Sequence, residues 1–321
     1  MIIFLFHRLI WLIVRVFLLT LVSFCLTYYT KKASLRSLSP FDAYSHYFWS
    51  LIHGDLGISS INGMANSLQI VEVFPETIEL CLLAFLVALL VGIPLGIISG
   101  MERGKWQDIS ISIFSMIGFS MPVFWLPLLL ILYFSLYLDW LPVDGFCDSL
   151  YPVRHITDVV VLDAWLSDCF YRKAIIISIL KHMILPIVSL AVAPTTTVVR
   201  LMRISTVEVM SQNYIRAAET RGLSRWTIIH RHLLHNALPP IIPQLGIQLS
   251  SMLTLAMITE VVFSLPGLGR WIIIAIQQKD YSAISAGVML LGTLVIFINI
   301  LSDVVGTLVN PLRYKEWYAI R

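Results

Sequence analysis

Residues 177–236 read ISILKHMILPIVSLAVAPTTTVV and then RLMRISTVEVMSQNYIRAAETRGLSRWTIIHRHLLHN. The first part is an apolar run with no polar face at helical spacing. It is long enough to cross a hydrocarbon layer, which takes roughly 20 residues. The second part, Arg200 to Asn236, sets six arginines against Glu208 and Glu219, a net charge of +4. A membrane helix running into a basic, patterned polar interval makes this chain a membrane protein with a built surface element.

Runs of the same apolar kind recur at 9–29, 77–100, 109–138, 240–262 and 284–309, so the fold class is all-α and polytopic, with about six transmembrane helices in a single domain over 1–321. Composition agrees. The chain is 58% hydrophobic and 13% charged, about half the charged fraction of soluble domains. Its mean hydropathy is +0.85. The first run has a basic start at His7 and Arg8 but no small-residue cleavage site before Tyr28-Tyr29-Thr30, so it reads as a retained anchor. Arg15 within it is expected to snorkel to the head groups.

With the N-terminus on the cytoplasmic side, the inner segments carry twelve Lys and Arg and the outer segments nine. The inner ones sit in the shorter loops, so the charge rule places both termini inside a plasma membrane. Segments 30–76 and 139–176 are then outer loops, and 201–237 faces the cytoplasm. Asp139, Asp144, Asp148, Asp158, Asp163 and Asp168 all fall in one outer loop, whose local net of −3 has two readings: a lure for cations, or the ordinary lack of basic residues outside. Cys147 and Cys169 share that loop, where a disulfide is possible on an oxidising face.

The polar interval is patterned. Ser205-Thr-Val-Glu208 reads as a capping box, and Tyr214 to Arg221 as a short helix stopped by Gly222. Ser224 can cap a second helix from Arg225 to Leu238, ending at Pro239-Pro240. Such a helix–glycine–helix unit can lie among lipid phosphates, or it can dock a cytoplasmic partner. Gly92, Pro94 and Gly96, Gly118, Pro122 and Pro127, Pro186 and Pro194, and Pro239 to Pro243 punctuate the spans. They are expected either to break helices along a pathway or to be tolerated as membrane helices often do.

Tyr214-Ile-Arg216-Ala217-Ala218-Glu-Thr-Arg-Gly222-Leu, followed by Asn236-Ala-Leu-Pro239, resembles the EAA loop of ABC importer permeases. Arg216 in place of the usual Glu, and the long stretch from Gly222 to Pro239, are similar to the dipeptide and oligopeptide (DppB/OppB) branch. So are Gly54-Asp-Leu-Gly57, Phe74-Pro75 with Thr77, Val91-Gly92-Ile-Pro94-Leu-Gly96, Ser120-Met-Pro122-Val-Phe124-Trp125, Trp140-Leu-Pro142, His182 to Pro186, Arg200-Leu-Met-Arg203 and Glu260-Val-Val-Phe-Ser-Leu-Pro266-Gly267-Leu-Gly269. Asp163 to Asp168, Ala193 to Thr196 and Lys315-Glu-Trp317 resemble the Sap-type members of that branch.

The resemblance implies a type I importer permease fold in a bacterial inner membrane. It implies coupling to ATPases through Tyr214, Arg216, Ala217, Ala218 and Gly222, and an outer gate at Glu260, Pro266, Gly267 and Gly269. Its implied partners are a second permease subunit (SapC-like), two ATPases (SapD- and SapF-like) and a periplasmic binding protein (SapA-like), besides membrane lipid. The implied substrates are peptides, including cationic antimicrobial peptides, with putrescine export and haem as competing assignments.

No catalytic residue is expected. GxSxG, HExxH and CxxC are absent, and Gly100-Met-Glu-Arg-Gly104-Lys105-Trp106 lacks the spacing and the hydroxyl of a phosphate loop. Neither metal, cofactor nor nucleic acid is implied. A gradient-driven transporter would need acids at span centres, and these are largely missing. A non-transporting membrane scaffold is the remaining alternative.

Overall fold

The computed structural model describes residues 2–28, 39–147 and 172–309, with side chains from residue 10 onward, and among them the regular structure is helical. The helices are α1 (Ile2–Tyr28), α2 (Pro40–Ile52), α3 (Asn66–Met101), α4 (Trp106–Ser120), α5 (Trp125–Leu130, continued as a wide π turn Ile131–Tyr137) and α6 (Arg172–Met210). There follow α7 (Asn213–Thr220), α8 (Arg225–Ile228, passing into a π turn Ile229–Leu233), α9 (Leu234–Ala237), α10 (Ile242–Val262), α11 (Leu268–Gln277) and α12 (Tyr281–Val309). Five stretches are long and apolar enough to cross a bilayer, and α4 with α5 makes a sixth if that broken pair is one span. Five of the six apolar runs of the sequence are thus found as long helices, and the run at 109–138, expected as one span, is bent by 105° between α4 and α5.

Of the two readings of the span prolines, tolerance holds at most positions. α3 runs unbroken through Pro75 and Pro94, and α6 through Pro186 and Pro194. The backbone does break at Met121–Phe124, around Pro122, and narrows to a 3₁₀ turn at Pro239–Ile241. The segment 30–76, expected as loop, contains all of α2 and the start of α3. Ser39 caps α2 by accepting the Asp42 N–H at 3.2 Å, and Pro40 fills the first turn, where its missing N–H goes unneeded.

The chain clusters into two compact units. The first comprises Met1–Leu80, Pro127–Pro186 and Leu253–Phe297; the second comprises Cys81–Leu126, Ile187–Met252 and Ile298–Arg321. In the first, Ile70, Leu268, Ile272 and Ala286 form a buried cluster, and Gly292 of α12 lets Leu19 of α1 approach closely. In the second, Gly92, Gly96 and Gly100 make a four-residue-spaced stripe on α3. A Cβ there would stand 2.7 Å from Val198, 2.6 Å from Met202 and 2.6 Å from Thr206 of α6. This is the small-residue packing that membrane helices use where the hydrophobic effect gives no drive. These glycines bring two helices together and interrupt neither.

Candidate functional site

The polar interval is built on the second unit. α6 continues ten residues past Arg200 to Met210. Ser205 therefore lies inside a helix rather than at a cap, and its hydroxyl donates to the Ala237 carbonyl at 2.7 Å. That bond ties the return of the segment to its origin. α7 then follows, and Gly222 adopts φ +77°, a left-handed conformation that a side chain would strain. Ser224 accepts the Thr227 N–H at 3.2 Å and starts α8.

The two sides of α7 differ. Ile215 and Ala218 are buried in a cluster with Ile97, Met202, Val209, Ile228 and Leu233. Tyr214, Arg216, Ala217 and Gly222 are exposed, as are Leu223 and Trp226. Of the five expected coupling residues, four thus stand on the outer surface, while Ala218 faces the chain's own core. Partial burial pushes the Tyr214 phenol above its ordinary pKa, and its ring lies 6.4 Å from that of His232. Trp226 meets His230 edge-on at 4.9 Å. The α3–α4 turn supports this platform, since Arg225 reaches Glu102 at 3.4 Å. Glu102 also holds Lys105, whose hydrogen bond lowers the carboxyl's pKa.

A feature that the sequence reading did not single out sits beneath that turn. Asp108, 4% exposed, takes two parallel bonds from Arg203: Nε to Oδ1 at 2.6 Å and one terminal nitrogen to Oδ2 at 2.8 Å. It also accepts the Ser99 hydroxyl and, at 2.9 Å, the Gly104 N–H. Charge-assisted, bidentate geometry of this kind is strong and directional. It locks α3, α4 and α6 together. The only local hint was an acid immediately before an apolar run.

In the first unit, Glu260 is 1% exposed. Its Oε1 accepts the Thr77 hydroxyl at 2.7 Å, and its Oε2 accepts the Arg270 N–H at 3.0 Å. Thr77 in turn accepts the Leu268 N–H at 2.8 Å, so one hydroxyl joins the end of α10 to the start of α11. Between them the chain turns at Ser264, with φ 55°, and Arg270 donates to the Ser264 carbonyl. A Cβ on Gly267 would fall onto the Glu260 carboxylate, and one on Gly269 would lie 2.5 Å from the Met257 backbone. Both glycines are therefore required by packing, while Pro266 is exposed. The four expected gate residues are adjacent, and Thr77 is their previously unassigned partner.

Nearby in the same unit, Asp280 accepts the Ser59 hydroxyl, the Ser60 N–H at 3.1 Å and the Ala283 N–H at 3.3 Å. Burial alone would raise its pKa, but these bonds and one from the Ser282 backbone outweigh it, and the net shift is downward. Cys147 lies 3.6 Å from the Ser178 hydroxyl, and its expected partner Cys169 falls outside the described residues. Among the described residues, no three His, Cys, Asp or Glu side chains are grouped to hold a metal ion.

The model of the family "Binding-protein-dependent transport system inner membrane component" matches residues 92–313. The putrescine export system permease protein SapB of Escherichia coli K12 is 60% identical, with both chains covered in full. The peptide transport system permease protein SapB of Salmonella typhimurium is 58% identical over the same 321 residues. The dipeptide transport system permease protein DppB of Escherichia coli K12 is 37% identical over 85% of this chain and 81% of its own. Among solved structures, an inward-facing MetNI methionine ABC transporter chain superposes with TM-score 0.56 at 18% identity, over 76% of this chain and 97% of its own, a likeness of fold. The chain belongs to the family of inner-membrane components of binding-protein-dependent transport systems, in its dipeptide and oligopeptide permease branch.

Proposed function

We propose that this chain is the permease subunit through which an ABC transporter moves peptides, cationic antimicrobial peptides among them, across a bacterial inner membrane. ATP is hydrolysed by separate ATPase subunits that dock on the exposed side of α7 and on Gly222. The observation that carries the reading is the two-sided platform of α7. Ile215 and Ala218 anchor it to the chain's own core, and Tyr214, Arg216, Ala217 and Gly222 are left for a partner. Force applied there has a stiff route into the spans through Ser205–Ala237, Arg225–Glu102 and Arg203–Asp108. The loop charges support an arrangement with both termini and this platform on the cytoplasmic side.

The remaining partners are a second permease subunit and a periplasmic binding protein. The Glu260–Thr77–Gly267 turn serves as the outer gate. A second reading, putrescine export, has in its favour the name of the Escherichia coli K12 relative. A gradient-driven transporter is disfavoured by the scarcity of acids at span centres.

The test is a mild-detergent pull-down from native membranes with mass spectrometry of the bound subunits. Recovery of a second permease and two ATPases is expected. In Gly222→Arg, membrane insertion should persist while ATPase recovery falls at least tenfold, because the left-handed backbone and the flat contact both fail. Undiminished recovery and transport in that variant would defeat the docking role.

A further inference from the structure

The second unit contains a groove of about 280 Å³ between α4 and α6. α4 lines it with Ser112 and Ser115, and α6 with Thr196, Thr197, Arg200 and Arg203. Its polar groups are of distinct kinds. Arg203 is already held by Asp108 through Nε and one terminal nitrogen, which fixes its plane and leaves its other terminal nitrogen without a bond to any described residue. Arg200, one turn earlier, is exposed and pairs with no acid among the described residues. Counting Asp108, the charge around the groove is +1. The Thr196 and Thr197 hydroxyls are spent as donors on the Ala193 carbonyl, at 2.8 and 3.3 Å, so toward the groove they can only accept. Met116 and Phe119 make the apolar part of the wall.

We infer that this groove holds the carboxylate end of the transported cargo. Two guanidiniums, one of them pre-oriented, and two serine hydroxyls suit an oxyanion. Threonine oxygens restricted to accepting suit the N–H of the adjoining peptide unit. A C-terminal peptide unit carries both groups, whereas a diamine has N–H donors but no oxyanion and would bring ammonium ions against guanidinium. The volume sits at the lower end of small-molecule sites, about 300 Å³, which is room for one end of a peptide. This rests on the peptide-permease reading above.

The experiment uses the intact transporter, purified with its native partner subunits and reconstituted in liposomes, carrying Ser115→Cys or, as a second position on the same face, Ser112→Cys. Modification at that cysteine is followed by mass spectrometry with two reagents, anionic sulfonatoethyl and cationic trimethylammonioethyl methanethiosulfonate. The anionic reagent should react about tenfold faster, and Arg200→Gln should remove that preference. Trialanine should protect the cysteine, while trialanine amide and putrescine should not. Faster reaction of the cation, or no reaction at either position, overturns the inference. Equal protection by acid and amide overturns carboxylate recognition. Protection that depends on phosphatidylglycerol in the membrane rather than on peptide assigns the oxyanion to lipid and overturns the cargo assignment. Failure of the peptide reading itself shows separately, as absence of ATP-dependent peptide transport by the unmodified complex, with the reagent preference intact.

Discussion

Asp108 and Glu260 are both carboxylates removed from solvent, and they are held by opposite means. Asp108 faces a cation: Arg203 grips both its oxygens, and a serine hydroxyl and a backbone N–H complete its shell. Among the described residues Glu260 meets neutral donors, the Thr77 hydroxyl and the Gly269 and Arg270 backbone N–H groups, beneath a glycine with no Cβ. A charge pair resists separation, so the Asp108 cluster suits a joint that must carry force between helices. A carboxylate held by a hydroxyl and a turn can exchange its donors at smaller loss, as an element that opens must. Rigidity in the second unit and yielding in the first are what this difference predicts.

The largest effect is expected at Arg203. Arg203→Ala leaves Asp108 buried without its cation, and such orphaned charges destabilise by roughly 3–5 kcal/mol. Arg203 keeps 32% of its side chain exposed, which places the loss near the lower end, about 3 kcal/mol. Removing both partners in Asp108→Ala/Arg203→Ala should recover much of it, read as thermal unfolding of the purified chain in detergent. If the single variant loses less than the double, Asp108 is not held by charge and the contrast collapses.

Next in size is Gly267→Ala. The added methyl meets the Glu260 carboxylate, and overpacking of this kind costs about 1–3 kcal/mol. Pairing it with Glu260→Ala should relieve the clash, so the two changes together should be less than additive. Glu260→Gln sharpens the comparison further. The amide oxygen can keep the backbone N–H bonds, but the amide nitrogen turns Thr77 from donor to acceptor and leaves its hydroxyl proton without the carboxylate, a loss of about 1–2 kcal/mol. A loss equal to that of Arg203→Ala would mean that Glu260 is as firmly fixed as Asp108, and the contrast between the two acids would fail.

The same contrast explains what could be read in the sequence. Apolar runs long enough to span a bilayer needed no tertiary information, so five were legible as they stand and the sixth as an apolar run without its 105° bend. Glu260 was legible too, because an acid ending an apolar run just before Pro266-Gly267-Leu-Gly269 is locally odd. Asp108 was not. Its partner lies 95 residues away on another helix, and Arg203 looked like one more inner-loop cation. The glycines at 92, 96 and 100 were ambiguous for a similar reason. Whether a glycine breaks a helix or admits a neighbour depends on the neighbour, here Val198, Met202 and Thr206. Ser205 misled because its pattern with Glu208 fits a cap. Only the Ala237 carbonyl, brought back by the later chain, shows that its hydroxyl was needed inside the helix.

The smallest expected effect lies at Asp280, a third buried acid that tests whether the first unit is uniformly yielding. Like Glu260 it is held by neutral donors, but it has more of them: the Ser59 hydroxyl and the backbone N–H groups of Ser60, Ser282 and Ala283. Its pKa is therefore lower folded than unfolded, where the ordinary value is 3.8. A lowered folded value means that the ionised form is favoured by folding. The contribution is complete above the unfolded pKa and is lost as pH falls through the folded one. Unfolding temperature in detergent should thus be level from neutral pH down to about 4 and decline below it. Asp280→Asn should remove that part of the decline. An Asp280→Asn profile that still falls in parallel with the parent would mean that neutral donors in this unit confer no charge-dependent stability. Glu260 would then be expected to behave in the same way.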